Sequence, residues 1–451
     1  MKKRVLLVDN ELRIIPHILK DTDWIIEVLV TEKKDNMYTN HQRVGLIYEE
    51  DDFWNNRNMQ GFDYEDLEFL WKSQLKGENC FNRFLEDFQI GKWNYYRGYA
   101  LVKQIFSSRQ IDLVIVKGHN HGYAWDRTIT EYASMVGIHS YNIEIMLNGT
   151  RIVYNNLNKQ LVEVEKHKLD LNNSVFYHEE LDISNNMSKG VWGKIYKVSY
   201  NLFGALGLDI IKCIRYGNLG TDKKGVSVIE RAKKLYQVKK TKNYFSRLAV
   251  PLDITRKYVC FALHLEPEAV IAGRADMDSQ IVAIQMLANC LPKGWVLYVK
   301  EHPLQFMLNH ANMYGYLYGA SVFKTKRFYK EINQIDNVKL LKLNTDNKEM
   351  LEHCQAVATM SGTVAAEAVT YHKPALVFSA ERTIYNYVEG FYKISSDDEC
   401  KKAMQDIENN KIVNYEDYLE VCKKYLINFT DESLGYKVAV KTIFRDASKS
   451  E

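Results

Sequence analysis

Short apolar runs alternate along the chain with longer segments whose apolar residues recur at helical spacing, the rhythm of an α/β protein. In the first half, runs at 5–8, 25–30, 44–48, 113–116 and 138–143 predict strands. Amphipathic patterns at 64–76, 93–108 and 124–136 predict helices between them. From about 150 to 250 the rhythm lapses into a stretch rich in Asn, Lys and Tyr, with helical patterns at 190–214 and 226–240. It resumes with strands at 258–262, 295–299, 338–341, 356–359 and 375–378, and helices at 277–290, 322–334, 347–353 and 363–371. Three further helical patterns, at 398–409, 415–426 and 433–446, close the chain. The expected fold is α/β: two Rossmann-like domains facing across a cleft, with a helical middle segment and C-terminal helices. The expected divisions are 1–185, 186–250, 251–395 and 396–451. Ligands of open α/β sheets bind outside the carboxyl ends of the strands, so residues directly after strands are the first candidates for chemistry.

Composition narrows the class. The 451 residues are 46% apolar, 26% charged and 12% aromatic, which excludes wholesale disorder, collagen and coiled coil. The 60 Lys and Arg against 57 Asp and Glu leave a net charge of +3, so no nucleic-acid partner is called for. The 7 cysteines are scattered and none forms a C-x-x-C pair, which points to a reducing compartment and away from a disulfide scaffold or a zinc site. Met1-Lys2-Lys3-Arg4 is followed by only four apolar residues before Asp9, too short a run for a signal-peptide core. The longest stretch without Asp, Glu, Lys or Arg, 302–323, carries two histidines, a proline and several amides and does not read as a bilayer span. A soluble, cytoplasmic protein is expected.

Four constellations carry potential chemistry. Lys300-Glu301-His302-Pro303 follows the strand at 295–299. Proline holds the preceding histidine extended, and Lys300 and His302 alternate with Glu301, so they share one face. A lysine and an imidazole aimed together suit a phosphate; the plain alternative is a solvated strand end. Ser361-Gly362-Thr363 lies between the strand at 356–359 and a helix, where free backbone N–H groups favour an anion; the plain alternative is an ordinary N-cap. Glu367, one turn on, is placed to accept from sugar hydroxyls, or is simply a helix glutamate. Leu263-His264-Leu265-Glu266-Pro267-Glu268 opens a loop after the strand at 258–262, and Asp276 and Asp278 precede the next helix, where acidic residues commonly meet the helix dipole. In the first half, Lys117-Gly118-His119-Asn120-His121-Gly122 reads as a loop at a strand's carboxyl end. Asp126 or Glu131 beyond it is the candidate nucleophile or base, a normal carboxylate role in glycosyl chemistry.

Two stretches have surface chemistry. Residues 189–215 interleave aromatic and aliphatic residues with lysines, as in a lipid-contacting or a core-packed helix. Residues 231–242 carry Arg231, Lys233, Lys234, Lys239, Lys240 and Lys242, which suits anionic lipid heads or merely a solvated basic helix.

Taken in order, the second-half motifs resemble those of bacterial capsule polysaccharide biosynthesis proteins, a family that includes Kdo transferases. The run is Phe261-Ala262-Leu263-His264-Leu265-Glu266-Pro267-Glu268-Ala269, then Asp278 and Gln280, Leu291-Pro292-Lys293-Gly294-Trp295, Lys300-Glu301-His302-Pro303, Ser361-Gly362-Thr363 with Glu367, and Lys373-Pro374-Ala375-Leu376-Val377-Phe378. The resemblance covers about 255–390. It implies a GT-B-like glycosyltransferase with a CMP-activated ulosonic acid donor (Kdo, sialic, pseudaminic or legionaminic type) and a capsule or lipopolysaccharide acceptor. It makes 1–185 the acceptor side and 251–395 the nucleotide-sugar side.

The resemblance implies that His302 and Ser361 or Thr363 hold the donor phosphate; the full candidate binding set is His119, His121, His264, Glu266, Glu268, Lys300, His302, Ser361, Gly362, Thr363 and Glu367, with Asp126, Glu131 and His302 as candidate catalytic residues. Lys300, His302 and a helix start would neutralise the leaving phosphate, so neither metal nor cofactor is expected. The sequence departs from the family pattern at Glu266, where a glutamine is usual, and at Ser379-Ala380-Glu381-Arg382, where small residues are usual. The competing readings are a CDP-glycerol-type glycerophosphotransferase and a non-catalytic capsule-assembly scaffold. Contact with the inner face of the cytoplasmic membrane fits either enzymatic reading.

Overall fold

A computed structural model describes residues 2–31, 38, 41–59, 88–117, 124–147, 149–165, 228–266, 277, 279–306, 323–379 and 382–449. The expected helices at 64–76 and 190–214, and the candidates His119, His121 and Glu268, lie outside the described residues.

The apolar runs of the first half become strands β1 (Arg4–Val8), β2 (Ile25–Thr31), β3 (Val44–Glu49), β4 (Leu113–Lys117) and β5 (Ser140–Ile145). They are parallel, in the order β3-β2-β1-β4-β5. β4 is buried along its whole length, as expected where a parallel sheet is covered on both faces. An antiparallel hairpin, β6 (Thr150–Asn155) and β7 (Gln160–Leu161), extends the sheet past β5.

Side-chain alternation sorts the two layers. Val5, Leu7, Leu113 and Ile115 meet helix α1 (Ile15–Asp21). After the short α2 (Glu50–Asn55), helices α3 (Phe88–Ser108) and α4 (Ala124–Met135) cover Leu6, Val8, Val114 and Val116 on the other face. Gly98 of α3 is where the Trp125 ring of α4 lies: a Cβ there would fall 1.3 Å from a ring atom. The glycine therefore allows the close approach that seats α4.

Past helix α5 (Val228–Leu248), the second half forms β8 (Tyr258–Ala262), β9 (Val296–Lys300), β10 (Val338–Leu340), β11 (Ala356–Thr359), β12 (Ala375–Val377) and β13 (Phe391–Lys393). All pair in parallel, in the order β10-β9-β8-β11-β12-β13. The intervening helices are α6 (Gln280–Cys290), α7 (Lys326–Asn333), α8 (Asn347–His353) and α9 (Val364–Val369), followed by α10 (Asp397–Glu408) and α11 (Tyr415–Tyr425). α5, α6, α7 and α10 bury one face of the sheet; α8, α9 and α11 bury the other.

The chain then returns to the first sheet. β14 (Ile427–Asn428) pairs antiparallel with β6, and α12 (Glu432–Lys449) lays Tyr436, Ala439, Val440 and Ile443 beside α1. The architecture is thus α/β with two Rossmann-like sheets, as the hydrophobic rhythm predicts.

The halves also touch elsewhere. Ile152, Tyr154 and Leu161 share an apolar cluster with Ile384, Tyr385 and Tyr425. Arg382 pairs with Glu144 at 2.8 Å and lies over the Tyr154 ring. Among the described residues no helix is long and apolar enough to cross a membrane.

Candidate functional site

In the second sheet the strands step one way from β8 to β9 to β10, then the other way from β8 to β11. The switch point lies between β8 and β11, the place in an open α/β sheet where ligands bind. β8 delivers His264 to this point and β11 delivers Ser361 and Gly362. The Ser361 N–H donates to His264 Nε2 at 3.1 Å. This bond makes Nε2 an acceptor, so the neutral ring carries its proton on Nδ1.

Gly362 is held by two further bonds. Its N–H donates to Thr359 Oγ1 at 3.0 Å, and its carbonyl accepts from the Tyr385 hydroxyl at 3.2 Å. A Cβ at this position would lie 2.8 Å from Thr359 Oγ1 and 3.3 Å from His264 Nε2, so a side chain here would disturb the contact between the two loops. Thr363 precedes α9 in helical conformation and makes no side-chain cap bond. The ordinary N-cap reading of this threonine is therefore not what the fold uses.

The backbone of His264 is pinned by one buried side chain. Its N–H donates to Gln280 Oε1 at 2.8 Å, and Gln280 Nε2 donates back to its carbonyl at 3.3 Å. The same Gln280 amide donates to Glu266 Oε1. Glu266 is buried, and its own N–H donates to Gln305 Oε1 at 3.2 Å. Burial pushes the Glu266 carboxyl above its ordinary range, against the opposing pull of Lys324 and the Gln280 bond.

A carboxyl whose pKa is raised by folding contributes its full stability below the unfolded value, near 4.5, and loses it as pH rises through the folded value. Glu266→Gln keeps an oxygen acceptor for Gln280 and removes the buried charge. The variant is expected to match the parent in melting temperature at acid pH and to exceed it increasingly toward pH 8, by roughly 2–4 °C per kcal/mol. Scanning calorimetry across that range checks this, and a constant offset at every pH would contradict it.

β9 brings the third motif. Lys300, Glu301 and His302 alternate across the strand end, and the two faces differ. Lys300 Nζ donates to the Thr345 carbonyl at 2.7 Å and to Asn347 Oδ1, on the α8 and α9 side. Burial lowers its pKa, while Cys260, Asp346 and Glu367 oppose the shift. Lys300 and Glu367 therefore feel each other across this layer.

Glu301 turns the other way and is fully buried. It accepts from Lys324 Nζ at 2.7 Å, from the Tyr329 hydroxyl at 2.6 Å and from the His302 N–H at 2.7 Å. Lys324 also donates to the His264 carbonyl. One buried ammonium thus ties together the loops after β8 and β9, and through Glu301 it fixes the backbone of His302. Pro303 starts a 3-10 turn, Pro303–Phe306, in which the Gln305 N–H closes on the His302 carbonyl at 3.0 Å.

His264, Ser361 and Gly362 are thus in direct contact, with Lys300 and Glu367 on one side of the sheet and Glu266, Glu301 and Lys324 on the other. In the first half, Asp126 is buried in the first turn of α4, just past the carboxyl end of β4. Glu131 is committed to Arg127, with Arg127 Nε donating to its carboxylate at 2.7 Å.

Sequence reasoning missed Lys324, Tyr329 and Gln305. Lys324 stands among Lys326, Arg327 and Lys330, where a lysine looks like one more solvated cation. Gln280 was visible only as part of a motif, without its role as a clasp on His264.

No protein-family model and no curated protein sequence matches the chain. Among solved structures it is similar to a UDP-GlcNAc 2-epimerase of Methanocaldococcus jannaschii in complex with UDP-GlcNAc and UDP, at 13% identity over 100% of both chains and a TM-score of 0.27. It is similar to the UDP-GlcNAc 2-epimerase of Neisseria meningitidis bound to UDP-GlcNAc, at 11% identity over 99% of this chain and 100% of that one, with a TM-score of 0.25. It is also similar to KpsC of Thermosulfurimonas dismutans, a beta Kdo 2,7 transferase, at 10% identity over 87% of this chain and 98% of that one, with a TM-score of 0.30.

Proposed function

We propose that the protein is a glycosyltransferase that moves an ulosonic acid from a CMP-activated donor to a surface-polysaccharide acceptor, free or lipid-linked. The observation that carries this reading is the 3.1 Å contact between the Ser361 amide and His264 across the switch point. Two motifs separated by 97 positions meet where an α/β sheet binds its ligand, and both belong to the capsule-biosynthesis resemblance.

In this reading the donor phosphate lies over Ser361-Gly362-Thr363, the loop that Gly362 lets pack against His264. The hydroxyls of Ser361 and Thr363 donate to its oxygens, and the His302 ring supplies a further donor. As the glycosidic C–O bond to the phosphate breaks, negative charge grows on the departing CMP. Donors already aimed at that oxygen stabilise it without reorganisation. Glu367, one turn into α9, accepts from donor hydroxyls. Asp126 acts from the first half, as base for direct attack or as nucleophile in a double displacement.

Thermal-shift titration against CMP, CDP, UDP, GDP and ADP tests the donor. A ligand that binds the native state raises the melting temperature by mass action. The largest shift is expected with CMP. A preference for CDP would favour a CDP-glycerol donor, and a preference for UDP or GDP would overturn the cytidine assignment. No shift with any nucleotide would favour a non-catalytic scaffold.

A further inference from the structure

Helix α5 separates its residues by face. Val238, Thr241 and Phe245 are buried, and Phe245 packs on Phe306 and Tyr329 at ring-centroid distances of 5.5 and 5.0 Å. The opposite face carries Lys233, Tyr236, Lys240, Asn243 and Arg247, alternately three and four positions apart as in a single stripe, with Lys239 beside it. All of these are exposed; Tyr236 is 59% accessible, and Lys240 Nζ sits 4.6 Å from its ring centroid. No Asp or Glu occurs anywhere from 231 to 252. None of the four cations Lys233, Lys239, Lys240 and Arg247 pairs with a carboxylate among the described residues. The stripe runs for about 21 Å along the helix.

We infer that this face of α5 is a docking surface for an anionic lipid bilayer. Its cations lie along the outer side of one helix and do not converge on a point. Such an arrangement fits charge spread over a plane rather than a discrete ligand, which needs donors aimed together. An exposed tyrosine among lysines suits the headgroup layer, where one end of the ring is apolar and the other wet. The buried side of the same helix rests on the 3-10 turn that begins at Pro303. Docking therefore brings the His302 loop to within about one helix diameter, roughly 10 Å, of the membrane surface. That is where a glycan on a lipid carrier presents itself. The surface is independent of which nucleotide the switch point takes.

Co-sedimentation of the full chain with phosphatidylcholine vesicles, with and without phosphatidylglycerol, tests it. Binding is expected only with phosphatidylglycerol, weakening with salt as the charges are screened. Each cation neutralised is expected to cost about fivefold in partition. The combined Lys233→Glu, Lys240→Glu and Arg247→Glu variant should not sediment, while its CMP thermal shift equals that of the parent. Binding to neutral vesicles as well as to anionic ones, undiminished binding by the variant, or capture by soluble dextran sulfate with no vesicle binding would each overturn the inference. Vesicle binding in a parent that shows no CMP shift would sink the nucleotide reading and leave the surface standing.

Discussion

His302→Ala is expected to lower transfer by about 100-fold or more and CMP affinity by roughly 10–100-fold, the value of a charge-assisted hydrogen bond. The fold should survive. The bond that organises this strand end runs from the His302 backbone N–H to Glu301 at 2.7 Å, and alanine keeps it. The ring is only partly buried, so little apolar surface is lost. Calorimetric titration with CMP reads the affinity, and the melting temperature of the ligand-free variant reads the fold. Unchanged CMP affinity in a well-folded variant would remove His302 from the phosphate site. A collapsed melting temperature would make it a structural residue instead.

Lys324→Met is expected to destabilise the second half by ~3–5 kcal/mol, because it leaves the Glu301 carboxylate buried without its cation. Both side chains of the pair are 0% exposed and 2.7 Å apart, so no water can replace the ammonium without opening the core. Methionine fills most of the lysine's volume, which keeps a cavity from dominating the result. Adding Glu301→Gln to the same chain removes the orphaned charge and should recover much of the loss. An amide oxygen can still accept from Tyr329. Urea unfolding of parent, both single variants and the double variant closes a cycle in which the coupling is the reading. A Lys324→Met loss below ~1 kcal/mol, or a double variant no better than the single, would show that the pair is not the tie between the β8 and β9 loops.

His302 could be read directly because proline after a strand is a local event: it ends the ladder and sets the backbone of the residue before it. Lys324 could not, because its significance depends on being the one lysine in a basic run that points inward. Local periodicity at 322–334 predicts the helix but not which cation the sheet covers. Glu266 is a similar case. Its place after β8 was legible, whereas its burial and its clasp by Gln280 depend on how α6 crosses the sheet.

The strands themselves were mostly legible. β1, β4, β8 and β11 are buried on both faces over nearly their whole length, so each holds a continuous apolar run that needs no partner to be noticed. β6, β7, β13 and β14 were not. β6 mixes apolar residues with Thr, Arg and Asn, the other three are only two or three residues long, and β14 exists through a neighbour far along the chain, Ile427 pairing with Arg151.

By itself, then, the amino-acid order determined the α/β class, the pairs of strand and following loop, and the residue types delivered to each loop, because these follow from short-range periodicity and backbone stereochemistry. Only the tertiary structure decided that β11 lies beside β8 and not beside β10, so that His264 and Ser361 meet. Only it decided that Glu301 and Lys324 face inward, and that the last helix returns to the first sheet. The reason is common to all three. Strand order, inward orientation and chain return minimise exposed apolar surface over the whole molecule, and that sum has no counterpart in any window of sequence.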